Sequence, residues 1–226
     1  MIDEIMEGIA ERGVLPTCDA VISGYMGSAE IGHAILSAVA RVKAANPAAL
    51  YACDPVIGDV GRGIFVRPGI PEFMRDKAMP VADLVTPNQF ELEWLTSMRV
   101  KTLGEARAAV AALRARGPRV VLLTSMQTDE TPNDAVDMLA TDESGSWRVR
   151  TPKLDLNVNG AGDAIMALFF VHYARTRSAP DALGMAAASI HGLLKRTLEA
   201  ASREILTVSA QDEFDSPSTR FAVERV

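Results

Sequence analysis

Apolar residues recur along this chain in two alternating rhythms, the spacing of helices and the short unbroken runs of buried strands. Ile2, Ile5, Met6 and Ile9 fall at helical spacing and Gly13 supplies a stop, so the chain opens in a helix. Asp19 to Ser23 reads as a strand, Gly24-Tyr25-Met26-Gly27 as a turn, and Ser28 as the cap of a helix whose stripe is Ile31, Ile35, Val39 and Val42. Leu50 to Cys53 is a second strand running into Asp54-Pro55. The stretch Gly58-Asp59-Val60-Gly61-Arg62-Gly63 is too rich in glycine for regular structure, which predicts a mobile loop. Leu84 to Thr86 ends a third strand at Pro87-Asn88, and Glu91 to Ser97 is helical. Thr102-Leu103-Gly104-Glu105 has the spacing of a capping box ahead of an alanine-rich helix ending near Gly117. Val120 to Leu123 is a fourth strand, and Asp137 to Ala140 with Trp147 to Arg150 makes a hairpin through Glu143-Ser144-Gly145. Gly160-Ala161-Gly162-Asp163 then opens an apolar helix through Phe170, and Ser178-Ala179-Pro180-Asp181 caps a long helix running towards Ser202.

This alternation predicts one doubly wound α/β domain over residues 1–226, its sheet mostly parallel with helices on both faces and a late antiparallel hairpin. Ligands of such sheets gather beyond the carboxyl ends of the strands, where Asp54, Thr86 and Thr124 fall. Composition changes little: 48% hydrophobic against 23% charged residues describes a chain that folds. Charge excludes more. Acidic residues number 29 against 23 basic ones, a net −6 with no dense block of lysine or arginine, which argues against nucleic-acid or membrane-surface partners. Cys18 and Cys53 are too few for a disulfide framework, and neither a secretory leader nor a span-length apolar run is visible. The expected location is the cytoplasm.

Three clusters carry candidate chemistry. In Asn159-Gly160-Ala161-Gly162-Asp163, small residues at a helix mouth leave backbone N–H groups and the helix dipole open to a phosphate, with Asp163 placed as a base. The plainer alternative is a glycine turn in which Asp163 is a first-turn helix acid; a dinucleotide fingerprint fits less well, because position 165 is isoleucine. Asn88-Gln89-Phe90-Glu91 either organises magnesium through water or is simply a capping box. Asp54 to Asp59 places two acids beside the glycine loop, as metal ligands or as a solvated turn. His33, His172 and His191 lie in helical segments without a visible catalytic partner and read as structural. Met26, Met126, Met138 and Met166, with Trp94 and Trp147, read as core or pocket filling.

Taken together and in order, these segments resemble the bacterial pyridoxal kinases of the ribokinase-like superfamily. Cys18 to Glu30 is similar to a strand and substrate-side turn of the family, and Cys53-Asp54-Pro55-Val56 to its nucleotide-side strand. Thr86 to Glu91 is similar to its magnesium motif, and Gly160 to Asp163 to the superfamily's anion hole and base. The resemblance implies transfer of the γ-phosphate of ATP to the hydroxymethyl group of pyridoxal, with Mg²⁺ and possible use of a monovalent cation. By the same likeness Asp163 takes the hydroxymethyl proton while Gly160, Ala161 and Gly162 cradle phosphates, and Tyr25 flanks the pyridine ring. Asp54, Asp59, Asn88 and Glu91 serve the metal–nucleotide complex. Thr86 lies near the phosphates or the monovalent cation, Thr124 and Ser125 lie near the nucleotide, and Thr151, Pro152, Lys153 and Leu154 border its adenine. Some relatives carry lysine where this chain has Thr124; Arg62 is the candidate to supply that charge, in a loop that resembles the family's flap over ATP. The resemblance also implies a homodimer. The family's first strand and its vitamer-closing loops precede the point matched by Met1, so the expectation is of a kinase domain short of its N-terminal portion. Such a chain would hold magnesium–ATP but bind and phosphorylate pyridoxal poorly. A neighbouring specificity, for hydroxymethylpyrimidine, is the enzymatic alternative, and a catalytically weak ATP- or vitamer-binding remnant the other.

Overall fold

In the computed structural model, which describes residues 2–226, the alternation becomes a sheet with a helical layer on each face. Its strands are β1 (Ala20–Ser23), β2 (Leu50–Cys53), β5 (Leu84–Val85), β6 (Val120–Met126), β7 (Ala135–Asp142), β8 (Gly145–Pro152) and β9 (Val223–Arg225), adjacent in that order, while β3 (Gly58–Asp59) and β4 (Gly63–Ile64) form a separate ribbon. β1, β2, β5 and β6 are parallel. From β6 onward the pairing is antiparallel. The helices are α1 (Ile2–Glu11), α2 (Ala29–Ala45), α3 (Ile70–Phe73), α4 (Gln89–Thr96), α5 (Leu103–Arg114), α6 (Ala161–Thr176), α7 (Ala179–Glu199) and α8 (Asp212–Asp215).

The pleat divides the core. Tyr51, Cys53, Val85, Val121 and Leu123 face one way and join Val39, Phe73, Leu92 and Val110 from α2 to α5. Their neighbours Ala52, Leu84, Val120 and Leu122 face the other way, against Ile165, Phe169, Leu183 and Ile190 from α6 and α7. Burial on both faces is why these strands read as continuous apolar runs. Helix starts follow their caps: Ser28 Oγ accepts from the Ile31 amide, Ser178 Oγ from the Asp181 amide, and Asn88 and Thr102 each complete a capping box. Each such cap is worth about 1 kcal/mol.

Several expectations are revised in detail. The glycine-rich stretch is a two-stranded ribbon, with Gly58 opposite Ile64 and Asp59 opposite Gly63. Glycine is needed at 58 because a Cβ there would strike the Gly63 carbonyl and stand 2.6 Å from Phe90 Cε1. Helix α6 runs past Phe170 to Thr176, where Arg177 takes a left-handed φ of 54°. A third antiparallel strand, β9, extends the hairpin from Trp147↔Arg225 to Val149↔Val223. Helix α1 forms, yet it has no buried residue. Met6, Ile9 and Ala10 only lean on Leu15, Val42 and Ala49, and Ile5 stays 57% exposed. β1 is the edge of the sheet, with Ile22 half exposed on it. Among the described residues no helix is long and apolar enough to cross a membrane.

Candidate active site

The carboxyl ends of β1, β2, β5 and β6 and the amino end of α6 enclose a cleft of about 300 Å³. Tyr25, Asp54, Asp59, Arg62, Thr86, Asn88, Glu91, Thr124, Ser125 and Gly160 to Asp163 all line it. Thr151, Pro152, Lys153 and Leu154 line an adjoining, more apolar chamber of about 770 Å³, which shares Thr124, Ser125, Ala161 and Gly162 with the cleft. Tyr25 and Asp163, 138 positions apart in sequence, thus share one opening.

Asp54 leaves β2 with its amide donating to the Ser23 carbonyl at 2.8 Å, and its Oδ1 accepts from Thr86 Oγ1 at 3.2 Å. Glu91 is committed to backbone: Oε2 accepts from the Asn88 amide and Oε1 from the Ile57 amide, both at 2.9 Å. Asn88 Oδ1 accepts from the Glu91 amide, while its Nδ2 donates to the Gly58 carbonyl at 2.8 Å. The capping box of α4 is therefore also the anchor of the ribbon that borders the cleft. Burial drives the pKa of Asp54 up to about 7, against a lowering bond from Thr86 and with a further push from the charge of Asp163. Burial likewise raises Glu91 to about 8, helped by the Asp54 charge and only partly offset by the backbone N–H groups of Ile57, Asn88 and Gly58. Among the described residues no three His, Cys, Asp or Glu side chains converge as a metal cluster.

These shifts fix a pH dependence. From about pH 4, where free carboxyls ionise, up to about pH 8 the folded chain keeps protons that the unfolded chain has lost. The contribution of the pair to stability is thus fully present below the unfolded pKa values and is lost as pH rises through 7 and 8. The thermal midpoint of the unliganded protein is expected to decline between about pH 5 and pH 8, and Asp54→Asn to flatten the decline. An equal slope in the variant would assign the dependence to other groups.

Helix α6 differs from α2, α4, α5 and α7 in having no side-chain cap. Its N-cap is Gly160, at a left-handed φ of 89°. The first-turn amides, which have no intrahelical acceptor, are left facing the cleft region where Asp54 and Asp163 stand. Asp163 is exposed, and a Cβ on Gly24 would stand 3.2 Å from its Oδ1, which sets the carboxylate against the turn that carries Tyr25. Ser125 takes a left-handed φ of 51° where the β6–β7 register shifts between Leu123 and Met126, and it lies exposed between the cleft and the chamber. A non-glycine residue in that conformation is the kind of strain that concentrates at working sites. Phe65 and Val158 in the cleft, and Val136, Ile190, His191 and Leu194 in the chamber, were not among the site candidates. Met138 turns out to fill the chamber wall.

The sequence profile of the phosphomethylpyrimidine kinase family matches residues 12–207. A pyridoxal kinase PdxY from Granulibacter bethesdensis is 59% identical over 224 residues, covering 97% of this chain and 78% of that protein. Another, from Rubrobacter xylanophilus, is 51% identical over 226 residues, covering 100% of this chain and 78% of its own length. Among solved structures, the pyridoxal kinase from Leishmania donovani in complex with ADP and ginkgotoxin has a TM-score of 0.88 at 27% identity, covering 99% of this chain and 79% of that one. With this fold, this cleft and these relatives, the chain belongs to the phosphomethylpyrimidine kinase family and, within it, to the ribokinase-like pyridoxal kinases.

Proposed function

We propose that the cleft transfers the γ-phosphoryl group of ATP to the hydroxymethyl oxygen of pyridoxal, yielding pyridoxal 5′-phosphate. The observation that carries this reading is the meeting of an uncapped helix start with Asp163 and the Gly24–Tyr25 turn in one opening. Phosphoryl transfer asks little covalent chemistry of a protein; it asks for positioning, for donors aimed at growing negative charge, and for removal of one proton. The amides of Ala161, Gly162 and Asp163 meet the second demand. Asp163 meets the third, taking the hydroxymethyl proton as the oxygen attacks. Tyr25, 60% exposed, offers its ring to one face of the pyridine. Arg62, whose guanidinium lies 5.0 Å from the Phe65 ring centroid, supplies the charge that Thr124 lacks. The ribbon that bears them excludes water, which limits hydrolysis of ATP.

The donor set suits magnesium. That ion keeps several waters, takes phosphate oxygens and needs only one or two carboxylates from protein. Asp54 would hold it directly, Asp59 from the ribbon through water, and Glu91 and Asn88 would fix the surrounding backbone. When bound it neutralises charge on the phosphates. A cytoplasmic setting is supported by two cysteines that are both free.

The test is formation of pyridoxal 5′-phosphate from ATP and pyridoxal, run in parallel with hydroxymethylpyrimidine because the matching family is that of the phosphomethylpyrimidine kinases. Turnover of hydroxymethylpyrimidine alone would transfer the assignment to it, and a chain that binds nucleotide but phosphorylates neither would be a binding remnant. The homodimer implied by the resemblance is supported by the open β1 edge, with Ile22, Tyr25 and Ile31 exposed near it. Light scattering across a range of concentrations is expected to show self-association; a monomer throughout would discard the dimer.

A further inference from the structure

Ser125, the exposed residue of β6, is held in a backbone conformation that serine seldom adopts. Its left-handed φ of 51° falls at a bulge: β6 takes three steps from Leu123 to Met126 while β7 takes two, from Leu139 to Asp137. The extra residue bends the strand, so that Thr124 and Met126 are buried on either side and Ser125 stands exposed where the cleft meets the chamber. Strain of this kind persists only where the surroundings over-determine it.

Both flanks of the bulge are tied to one neighbouring segment, Pro87 to Gln89. On the near side Thr124 bridges Asn88, and its amide donates to the Pro87 carbonyl at 2.9 Å. On the far side the Gln127 amide donates to Gln89 Oε1 at 2.7 Å. Gln89 is itself fixed from behind: its Nε2 donates to the Val100 carbonyl at 2.9 Å, so both ends of its amide are committed. The near tie is made by backbone and needs no particular side chain. The far tie exists only because residue 89 carries an amide of this length. The other ties beyond the bulge, the pairing of Met126 with Asp137 and the bond from Gln127 Nε2 to the Ala135 carbonyl, run to β7 and leave the approach to α4 unfixed. The uncapped start of α6 opens beside Ser125 through Ala161 and Gly162, so a ligand spanning cleft and chamber passes the bulge.

We propose that Gln89 is a positioning residue for the phosphate donor: by fixing the far flank of the bulge, it holds Ser125 in its left-handed conformation at the junction of cleft and chamber. This rests on the reading of that opening as the nucleotide site. The test is a double-mutant cycle read by calorimetric titration with magnesium–ATP, beside the KM for pyridoxal and a thermal melt of each variant. Gln89→Leu, close in size but unable to bond, is expected to weaken ATP binding by about five- to tenfold, while the KM for pyridoxal changes by less than about twofold. Glycine takes a positive φ without steric cost. With Ser125→Gly in place, the same Gln89→Leu change is therefore expected to weaken ATP binding by less than about twofold, whatever Ser125→Gly costs by itself. Gln89→Met repeats the cycle should Gln89→Leu fold badly. An equal loss in both backgrounds would mean that Gln89 acts on the nucleotide or on folding rather than through Ser125, and no loss in either would mean that the bulge holds without it. Both results overturn the role of Gln89 and leave the nucleotide site standing. A parent chain that binds no magnesium–ATP overturns the reading of the opening itself, and the role of Gln89 falls with it.

Discussion

Asp163→Asn is expected to lower turnover of pyridoxal by roughly 10²- to 10⁴-fold while leaving ATP affinity nearly unchanged, the signature of a lost general base. Four carboxylates, Asp54, Asp59, Glu91 and Asp163, line the cleft, and the structure separates them. Asp54 is buried, bonded to Thr86 and shifted up to about 7; Glu91 is spent on the amides of Ile57 and Asn88. Asp59 is exposed on the ribbon, its Oδ1 accepting from the Val60 amide at 2.7 Å, whereas Asp163 is exposed and set against the Gly24 turn. The competing account, a first-turn acid that merely favours the helix dipole, makes a different prediction. Removing the charge would then cost about 0.3–1 kcal/mol of stability and leave kcat within a few-fold of the parent. Steady-state kinetics with a thermal midpoint on the same sample decides between them, and near-normal turnover with a lowered midpoint would take Asp163 out of the chemistry.

The parallel half of the fold was legible because burial on both sheet faces leaves continuous apolar runs, and because Ser28, Thr102 and Ser178 mark helix starts by a local bond that sequence spacing reveals. The acidic and glycine motifs were legible for a related reason: each sits at a strand end or helix mouth where its neighbours in sequence are also its neighbours in space. What stayed hidden was non-local. Strand β9 is three residues, Val-Glu-Arg, held by pairing to β8 and by Val223 packing on the core beneath α7, so no period announces it. The chamber wall combines Val136 and Met138 from β7 with Ile190, His191 and Leu194 from α7, and apolar residues facing a ligand pocket look the same in sequence as those facing the core. The ribbon was misread because glycine has two uses. At Gly58 it permits a close crossing under Phe90 rather than irregularity. Glu91 shows that cap and site are compatible, since one carboxylate closes the α4 box and ties down the ribbon root.

Gly162→Glu is expected to abolish measurable nucleotide use, with ATP affinity reduced by about 10²-fold or more, while Gly162→Ala stays within a few-fold of the parent. The contrast follows from where Gly162 stands. It lies in the first turn of α6 with ordinary helical backbone and is exposed, and a Cβ added there would meet Asp54 Oδ2 at 3.8 Å, a normal contact. Neither substitution therefore has a reason to unfold the chain, and alanine is if anything the better helix former. Glutamate, however, extends four further heavy atoms and a negative charge into the opening shared by cleft and chamber, where the phosphates must approach the free amides. It repels them and competes for the same N–H donors. Isothermal titration with magnesium–ATP, beside a thermal melt to confirm folding, reads the effect directly. Wild-type affinity in a folded Gly162→Glu protein would mean that the phosphates bind elsewhere and that the uncapped start of α6 is not their cradle.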